Sequence, residues 1–324
     1  MNLPARSVAR PENTGEAEWT GQRERSNLWA LRLMRWIALS AGRRVARSLL
    51  HPISLYYLLV NRTARQESRR YLSRALGRPA RLFDTYRHIH NFAATVLDRV
   101  YLLQEPCASL DLQSTNIEIM DAPLAAGSGV LMVGAHIGSF EALRALGNQR
   151  GVKVAMLMYE DNARLINSTL AAIAPSTTLR TIALGRVGAM LQLRDWLDRG
   201  GLAGMLADRT LRHQAGRSRT NWLPFLGQAA PFSDGPFRLA AMLRRPMVFM
   251  AGLYRGGNRY ELRFETLADF SQQPVGQGSD LDVQIRVAMA RYVAILEALC
   301  RESPYNWFNF FDFWADDANK PPAD

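Results

Sequence analysis

The chain has 324 residues, 48% of them hydrophobic, which is enough apolar sequence for one large α/β domain, with or without a helical extension. Its two cysteines, Cys107 and Cys300, lie far apart, so the sequence predicts neither a disulfide framework nor a zinc site and favours a reducing compartment. The net charge is +11, and residues 23–78 hold thirteen arginines against two glutamates, the same excess as in the whole chain.

The first 104 residues divide into a polar leader and a helical region. Residues 1–25 contain prolines and glutamates but no apolar run, which predicts a flexible leader and argues against a secretory signal. Residues 26–104 alternate apolar clusters with arginines and predict an N-terminal helical region. Their longest uncharged run, residues 48–61, contains Pro52 and is shorter than the roughly 18 to 20 residues of a membrane-spanning helix.

Aromatic residues in this region favour a membrane interface. Trp29, Trp36, Tyr56 and Tyr57 are amphipathic, and the neighbouring arginines suit anionic headgroups. We therefore expect a helix that lies in the membrane surface, with an ordinary helical pair on the main domain as the alternative. Nucleic acid is not expected as a partner, because the arginines are interleaved with large aliphatic side chains and no recognition motif is present.

The elements that follow the helical region predict an α/β fold. A helix is predicted over residues 81–104, and then apolar runs of strand length alternate with helical patterns. The predicted strands are 116–120, 129–136, 153–159, 178–185, 201–208, 247–255 and 259–267, and the predicted helices are 139–149, 162–174, 187–200, 234–245 and 281–302, with a loop over 209–228. This order is typical of a mixed, largely parallel sheet flanked by helices, in a domain of residues 105–315 followed by a tail of residues 316–324.

Two of the predicted strands end in ionisable residues, His136 and Asp208. Active sites in open α/β sheets lie outside the carboxyl ends of the strands. We therefore expect these two side chains at the same rim of the sheet.

The segment GAHIGSFEALRA, residues 134–145, indicates a strand-to-helix turn. Gly134 and Gly138 give the backbone freedom for a tight turn, and Ser139 is a candidate N-cap. Glu141 then falls in the first helical turn, where it can fold back on the imidazole of His136. A carboxylate on one ring nitrogen leaves the other as a base, and backbone N–H groups at the helix start can face an oxyanion. Dipole complementarity for Glu141, and a histidine with structural partners only, are the alternatives.

Other site types find no support in the sequence. Ser139 is not in a G-x-S-x-G elbow, and neither a P-loop nor a G-x-G-x-x-G motif occurs. His88 and His90 on a helix point about 200° apart, which argues against a shared metal ion.

The segment H-I-G-S-F-E resembles the H-x-x-x-x-[DE] motif of the lysophospholipid acyltransferase superfamily, in the glutamate form of bacterial lipid A late acyltransferases. The stretches FAATVLDRV, GLAGMLADRT and WLPFLGQAAPFSDGPFRLAAMLRRP are similar to the same family in the same order, and the resemblance covers roughly residues 28–315. The end, SPYNWFNFFDFWAD, is more similar to a branch associated with aryl-polyene or specialised fatty-acyl lipids.

The resemblance implies a glycerolipid-acyltransferase-like fold and a membrane-associated O-acyltransferase. Such an enzyme transfers a fatty acyl group from a thioester, commonly of acyl carrier protein and otherwise of coenzyme A, to a hydroxyl of a glycolipid, without a further cofactor. By the resemblance His136 is the general base, Glu141 orients it, and Asp208 matches a strand-end aspartate in the substrate site. It also implies a peripheral or monotopic position on the cytoplasmic face of the bacterial inner membrane. A thioesterase-like hydrolase and a non-catalytic basic membrane-binding protein are the alternatives.

Two departures from the family pattern concern the acceptor. Glu160-Asp161 stand where the lipid A enzymes have Arg-Pro, with Arg164 as a loose substitute, and Asp208-Arg209-Thr210 replace Asp-Gln-Asp. Gly138, Ser139, Arg164, Asp208 and Arg209 are the predicted substrate-binding residues. Arg209, Arg212, Arg217 and Arg219 are candidates for binding a phosphate of the acceptor or of a pantetheine arm, or else form a solvated loop. Trp307, Phe310, Phe311 and Trp314 lie at helical spacing and predict a packed core helix.

Overall fold

A seven-stranded sheet forms the centre of the protein, as given by a computed structural model that describes residues 32–103, 109–159, 180–186, 188–209, 220–271 and 279–314. Its order is β1-β9-β8-β2-β5-β3-β4, and every neighbouring pair is parallel except β8 and β9. The strands are β1 (Asp111–Thr115), β2 (Leu131–Gly134), β3 (Val154–Tyr159), β4 (Thr181–Leu184), β5 (Leu202–Leu206), β8 (Pro246–Tyr254) and β9 (Arg259–Asp269), while β6 (Thr220–Phe225) and β7 (Gln228–Ser233) form a separate antiparallel hairpin. The prediction of an α/β fold with a largely parallel sheet is confirmed.

Helices cover both faces of this sheet. They are α1 (Gly42–Val60), α2 (Arg62–Ala75), α3 (Leu82–Leu102), α4 (Asp121–Ala125), α5 (Phe140–Gln149), α6 (Ala189–Asp198), α7 (Gly235–Met242) and α8 (Ser279–Glu302), and residues 32–40 are also helical. In β2, Leu131 and Val133 pack into a core with α2, α6 and α8, whereas Met132 packs into a second core with α1, α3 and α5. Strands buried on both faces read as continuous apolar runs, which is why β2 and β8 have no polar alternation.

The N-terminal helices are joined to the sheet domain by a buried ion pair. Arg43 of α1 donates through Nε and Nη2 to the two carboxylate oxygens of Asp98 on α3, both at 2.9 Å. Tyr260 of β9 donates its hydroxyl to the same fully buried carboxylate at 2.9 Å. This bidentate geometry fixes the start of α1 against the domain.

Only a narrow stripe of α1 packs on the protein. Its buried residues, Ala46, Leu50, Ser54 and Leu58, recur every fourth position and therefore form one face. Among the described residues, no helix combines the length and the apolar character that crossing a bilayer requires.

Three predicted elements differ from the structure. Residues Ile117–Met120 form a 3-10 helix instead of a strand, because Asn116 takes a left-handed conformation with φ 60° and the edge strand β1 ends just before it. Residues Thr220–Phe225, predicted as part of a loop, form β6 because they pair with β7. Residues 307–314 are not a helix, since Trp307 pairs with Ile137 in an antiparallel bridge. The predicted helix over 162–174 lies outside the described residues.

Candidate active site

The carboxyl ends of β2 and β5 bring His136 and Asp208 together. The two strands are parallel neighbours with Gly134 opposite Leu206, and the pairing continues as Ala207 N donates to Gly134 O at 3.0 Å. His136 and Asp208 each lie two residues beyond this pair. The prediction that they share one rim of the sheet is therefore confirmed by their contact.

A bidentate contact joins His136 to Asp208. The imidazole Nδ1 lies 2.8 Å from Asp208 Oδ1, and the backbone N–H of His136 donates to Oδ2 at 3.0 Å. Asp208 is buried, whereas the His136 side chain keeps 32% of its surface exposed. A carboxylate acceptor on Nδ1 fixes the proton there and leaves Nε2 as the basic nitrogen.

Asp208 is held in the ionised state. Burial on its own would raise the pKa of this carboxyl, but the charge of His136 and the hydrogen bonds from its ring and backbone lower the pKa to about 2. The indole Nε1–H of Trp307 also donates to Oδ2, at 2.8 Å. A buried carboxylate with three N–H donors stays charged across the physiological pH range.

Glu141 contacts other partners than His136. Its Oε1 pairs with Arg99 Nε of α3 at 3.0 Å, and its Oε2 accepts the hydroxyl of Ser139 at 3.1 Å. The prediction that Glu141 orients the imidazole is therefore not met in this structure, where Asp208 occupies Nδ1. The physical reason is that α3 presents a guanidinium to the first turn of α5, which draws the carboxylate away.

The turn between β2 and α5 needs glycine at position 138. Gly138 has φ +67°, and a Cβ there would lie 1.9 Å from the carbonyl oxygen of Gly252 in β8. Its N–H donates to Asn306 O at 2.9 Å, and Ser139 N donates to Gly252 O at 2.8 Å. Ser139 is the N-cap of α5 and accepts from Ala142 N at 3.4 Å. The backbone N–H groups of Gly138 and Ser139 are thus both bonded to protein carbonyls, and substrate binding by these two residues stays a prediction.

A C-terminal segment, residues 304–314, closes the other side of the pair. Phe308 N donates to His136 O at 2.8 Å, so the segment is bonded directly to the backbone of the histidine. The carbonyl of Trp307 accepts from His88 Nε2 of α3 at 2.8 Å, and His88 Nδ1 lies 2.8 Å from Ser68 Oγ of α2. Burial lowers the pKa of His88 to about 4, so this imidazole is neutral and its Nε2 carries the proton. His90 instead stacks on His51, with ring centroids 4.6 Å apart.

Arg209 follows Asp208 directly. Its guanidinium lies over the ring of Phe311, 5.1 Å from the centroid. Arg164, Arg212, Arg217 and Arg219 lie outside the described residues. No group of three or more potential metal-ligating side chains occurs within the part of the chain that the structure describes.

Sequence reasoning found His136 and Asp208 but missed Trp307, Asn306 and His88. The amide of Asn306 brackets the backbone of Tyr254, accepting from its N at 2.7 Å and donating to its O at 3.1 Å. A signal for this segment was present, because the polar residues Asn306 and Asn309 interrupt an otherwise aromatic run. Buried amides among aromatics indicate a segment whose backbone is bonded outside regular secondary structure.

Comparison with known protein families identifies the family of this chain. A search of the curated proteins finds no significant match. The family model for bacterial lipid A biosynthesis acyltransferases matches residues 24–315, which is most of the chain and includes all the residues of the site. This makes the chain an enzyme and not a non-catalytic basic protein. The chain therefore belongs to the bacterial lipid A biosynthesis acyltransferase family.

Proposed function

We propose that the protein is a membrane-associated O-acyltransferase that moves a fatty acyl group from a thioester, commonly of acyl carrier protein, to a hydroxyl of a glycolipid or similar lipid. His136 is the general base in this proposal and Asp208 orients it. The observation that carries it is the contact of the partly exposed His136 with the buried, ionised Asp208 at the rim of the sheet. Family membership supplies the transfer of acyl groups.

The reaction needs one proton relay. His136 Nε2 takes the proton of the acceptor hydroxyl while the oxygen attacks the thioester carbonyl carbon. The tetrahedral intermediate then collapses, the C–S bond breaks, and the imidazolium returns the proton to the departing thiolate. Asp208 stabilises the imidazolium without taking the proton, since its pKa is about 2.

The N-terminus of α5 supports the oxyanion in this proposal. The helix begins at Phe140, four residues after His136, and its first N–H groups carry a positive partial charge. With the N–H groups of Gly138 and Ser139 bonded elsewhere, the donors that remain for an oxyanion belong to the first helical turn.

An exposed apolar surface supports a position at the membrane. Large apolar and aromatic side chains on residues 32–40, α1 and α3 are solvent-exposed and form what we call the lipid face. They are Leu33, Trp36, Leu39, Val45, Leu49, Ile53, Leu55, Tyr56, Tyr57, Leu59, Val60, Leu82, Phe83 and Phe92. Exposed large apolar side chains concentrated on neighbouring helices indicate an interaction site, and the arginines among them suit an anionic leaflet.

The lipid face continues toward the catalytic pair. Phe92 of α3 contacts the rings of Phe308 and Phe310 at centroid distances of 5.2 Å and 5.4 Å. Phe308 is bonded to His136 through its backbone N–H. An acceptor lipid whose chains enter at this face would have its polar head close to His136.

Arg209 is our candidate for a phosphate contact. It is exposed, follows Asp208 in the chain, and is oriented by its stacking on Phe311. A guanidinium fixed on an aromatic ring presents its remaining N–H groups to an anion. The phosphate of a pantetheine arm or of the acceptor lipid has the required chemistry.

Mass spectrometry of total lipids tests the transfer. Cells with the wild-type protein should contain a lipid heavier by one acyl group, and cells with His136→Ala or an empty vector should lack it. A purified assay with an acyl thioester separates transfer from hydrolysis, because a thioesterase-like enzyme releases a free fatty acid. Full turnover by His136→Ala in that assay would remove His136 as the base.

Sedimentation with liposomes tests the lipid face. Replacing Trp36, Tyr56 and Tyr57 together by serine should weaken binding to anionic vesicles at least tenfold, by a rough estimate from the apolar area withdrawn from lipid. The matched control replaces Leu191 and Val287, which are exposed outside the lipid face, by serine. Equal binding by the two variants would show that the lipid face is not the contact.

A further inference from the structure

The side chain of Trp307 contacts the catalytic pair, and neither the motif nor the proposed mechanism uses this contact. The indole N–H of Trp307 donates to Asp208 Oδ2 at 2.8 Å, and Trp307 is 1% exposed. The same oxygen accepts the backbone N–H of His136 at 3.0 Å, while Oδ1 faces the imidazole. The carboxylate is thus held by the histidine on one side and by the C-terminal segment on the other.

We propose that Trp307 is a positioning residue for the catalytic pair, which orients Asp208 and tempers its negative charge through the indole N–H. The inference rests on the proposed role of His136 as the base. A donor on Oδ2 withdraws charge from the carboxylate and so weakens its attraction for the imidazolium. The indole N–H therefore affects both the orientation of Asp208 and the strength of its hold on the imidazole.

The backbone at Trp307 is fixed from two directions. Its neighbours pair with the catalytic turn, as Phe308 N donates to His136 O at 2.8 Å and Gly138 N donates to Asn306 O at 2.9 Å. Its carbonyl accepts the N–H of the buried His88 at 2.8 Å. These three hydrogen bonds fix the position of the Trp307 backbone relative to His136.

Aromatic neighbours then fix the plane of the indole. Tyr71, Phe225 and Phe313 meet it edge-on, with ring centroids at 4.9 Å, 5.3 Å and 4.9 Å. Edge-to-face contacts of this kind are favourable and directional. An indole that is enclosed on several sides has one orientation for its N–H, and here that orientation points to Asp208.

The chain offers a matched control in Trp314. This residue packs in the same aromatic cluster, stacked on Phe225 at 5.9 Å and 6.1 Å from Trp307. Its indole nitrogen is buried and has no hydrogen-bond partner in the part of the chain that the structure describes. Trp314→Phe therefore changes the cluster by a similar volume without removing a bond to Asp208.

The test follows the protonation of His136 without relying on turnover. Diethylpyrocarbonate modifies only the neutral imidazole, and peptide mass spectrometry reports the modification rate of His136 separately from the other four histidines. The pH at which this rate is half-maximal should rise by about half to one pH unit in Trp307→Phe and stay unchanged in Trp314→Phe. The acid limb of the pH–rate profile for acyl transfer should move in parallel, with kcat falling about tenfold and KM for the acyl donor nearly unchanged.

Two results would overturn the proposal. Unchanged midpoints in both variants would mean that the indole N–H does not act on the pair, and equal shifts would mean that loss of packing is the cause. If Trp307→Phe does not fold, β-(3-benzothienyl)alanine at position 307 replaces the N–H by sulfur at nearly the same shape and decides the same question. If Trp307→Phe shows the expected rise in the modification midpoint of His136 but the wild-type protein has no transferase activity, the proposed function is refuted and the positioning of Asp208 by Trp307 still holds.

Discussion

The exchange of one carboxylate oxygen for an amide nitrogen at position 208 should nearly abolish transfer. Asp208 accepts three N–H donors, two on Oδ2 and one on Oδ1. In Asp208→Asn the amide oxygen can replace Oδ2, which keeps the donors from His136 N and Trp307. The amide NH₂ then faces the imidazole Nδ1, which must become an acceptor. The proton moves to Nε2, and the base is lost.

The size of the expected loss of kcat follows from the cost of the other orientation of the amide in Asp208→Asn. If the amide is rotated, its NH₂ faces two N–H donors at 2.8 Å and 3.0 Å, and leaving both unpaired costs on the order of 2 to 6 kcal/mol. The tautomer with a basic Nε2 is therefore sparsely populated in either arrangement. We expect kcat to fall by about 10³ to 10⁴, which corresponds to roughly 4 to 5.5 kcal/mol of transition-state free energy.

Glu141→Gln is the matched control for this experiment. The amide keeps an acceptor for the hydroxyl of Ser139 and loses only the ion pair with Arg99, whose side chain is 37% exposed. Because the pair is open to solvent on the Arg99 side and Glu141 does not touch the imidazole, the expected loss of kcat is less than about tenfold.

A single assay compares the two variants and can refute the reasoning. Release of thiol from a purified acyl thioester, with the product identified by mass spectrometry, gives kcat at pH 8, and thermal unfolding confirms that both variants are folded. A loss of about 10³ in Glu141→Gln together with near-normal activity in Asp208→Asn would reverse the assignment. Glu141 would then turn from Arg99 onto the imidazole in the working enzyme, and Asp208 would be structural.

Two further predictions concern stability. His88 has its pKa lowered by burial from 6.5 to about 4, so the unfolded chain takes up a proton first as the pH falls. The contribution of His88 to the free energy of unfolding should drop by about 2 kcal/mol between pH 7.5 and pH 5. Urea unfolding of His88→Gln, which keeps a donor for Trp307 O but cannot titrate, should lack that part of the loss. Gly138→Ala should destabilise the protein by about 3 kcal/mol or more, because the added Cβ meets Gly252 O. Gly127 has a similar φ of +66° but lies in open space, so Gly127→Ala should cost only about 1 kcal/mol. Equal losses of stability in the two variants would contradict the steric argument.

The sequence predicted the sheet and its functional rim because both depend on local patterns. Alternating apolar runs indicate strand and helix, and the direction of parallel strands alone places His136 and Asp208 at one rim. The prediction of a helix over the last aromatics was wrong for a related reason. Trp307, Phe310, Phe311 and Trp314 have helical spacing, but the backbone of Trp307 pairs with Ile137, a contact 170 residues away that no local pattern contains.

The choice between Glu141 and Asp208 as the partner of His136 could not be made from the motif. Glu141 lies five residues after His136, and a turn of this length allows a carboxylate in the first helical turn to reach the imidazole. The outcome depends on two non-local facts, the register that sets Gly134 opposite Leu206 and the approach of Arg99 from α3. Glu141, the acidic residue of the motif, therefore joins α3 to α5 through its ion pair with Arg99.

Through Glu141, α3 has contacts on both sides of the His136–Asp208 pair. Arg99, near its C-terminal end, holds the first turn of α5 through Glu141, and His88, near its N-terminal end, holds the carbonyl of Trp307. Between them Phe92 packs on Phe308 while remaining part of the exposed lipid face. A shift of α3 on contact with lipid would therefore act on the turn that carries His136 and on the indole that restrains Asp208. The helix that we propose to meet the membrane thus contacts both the first turn of the helix that follows His136 and the backbone of Trp307.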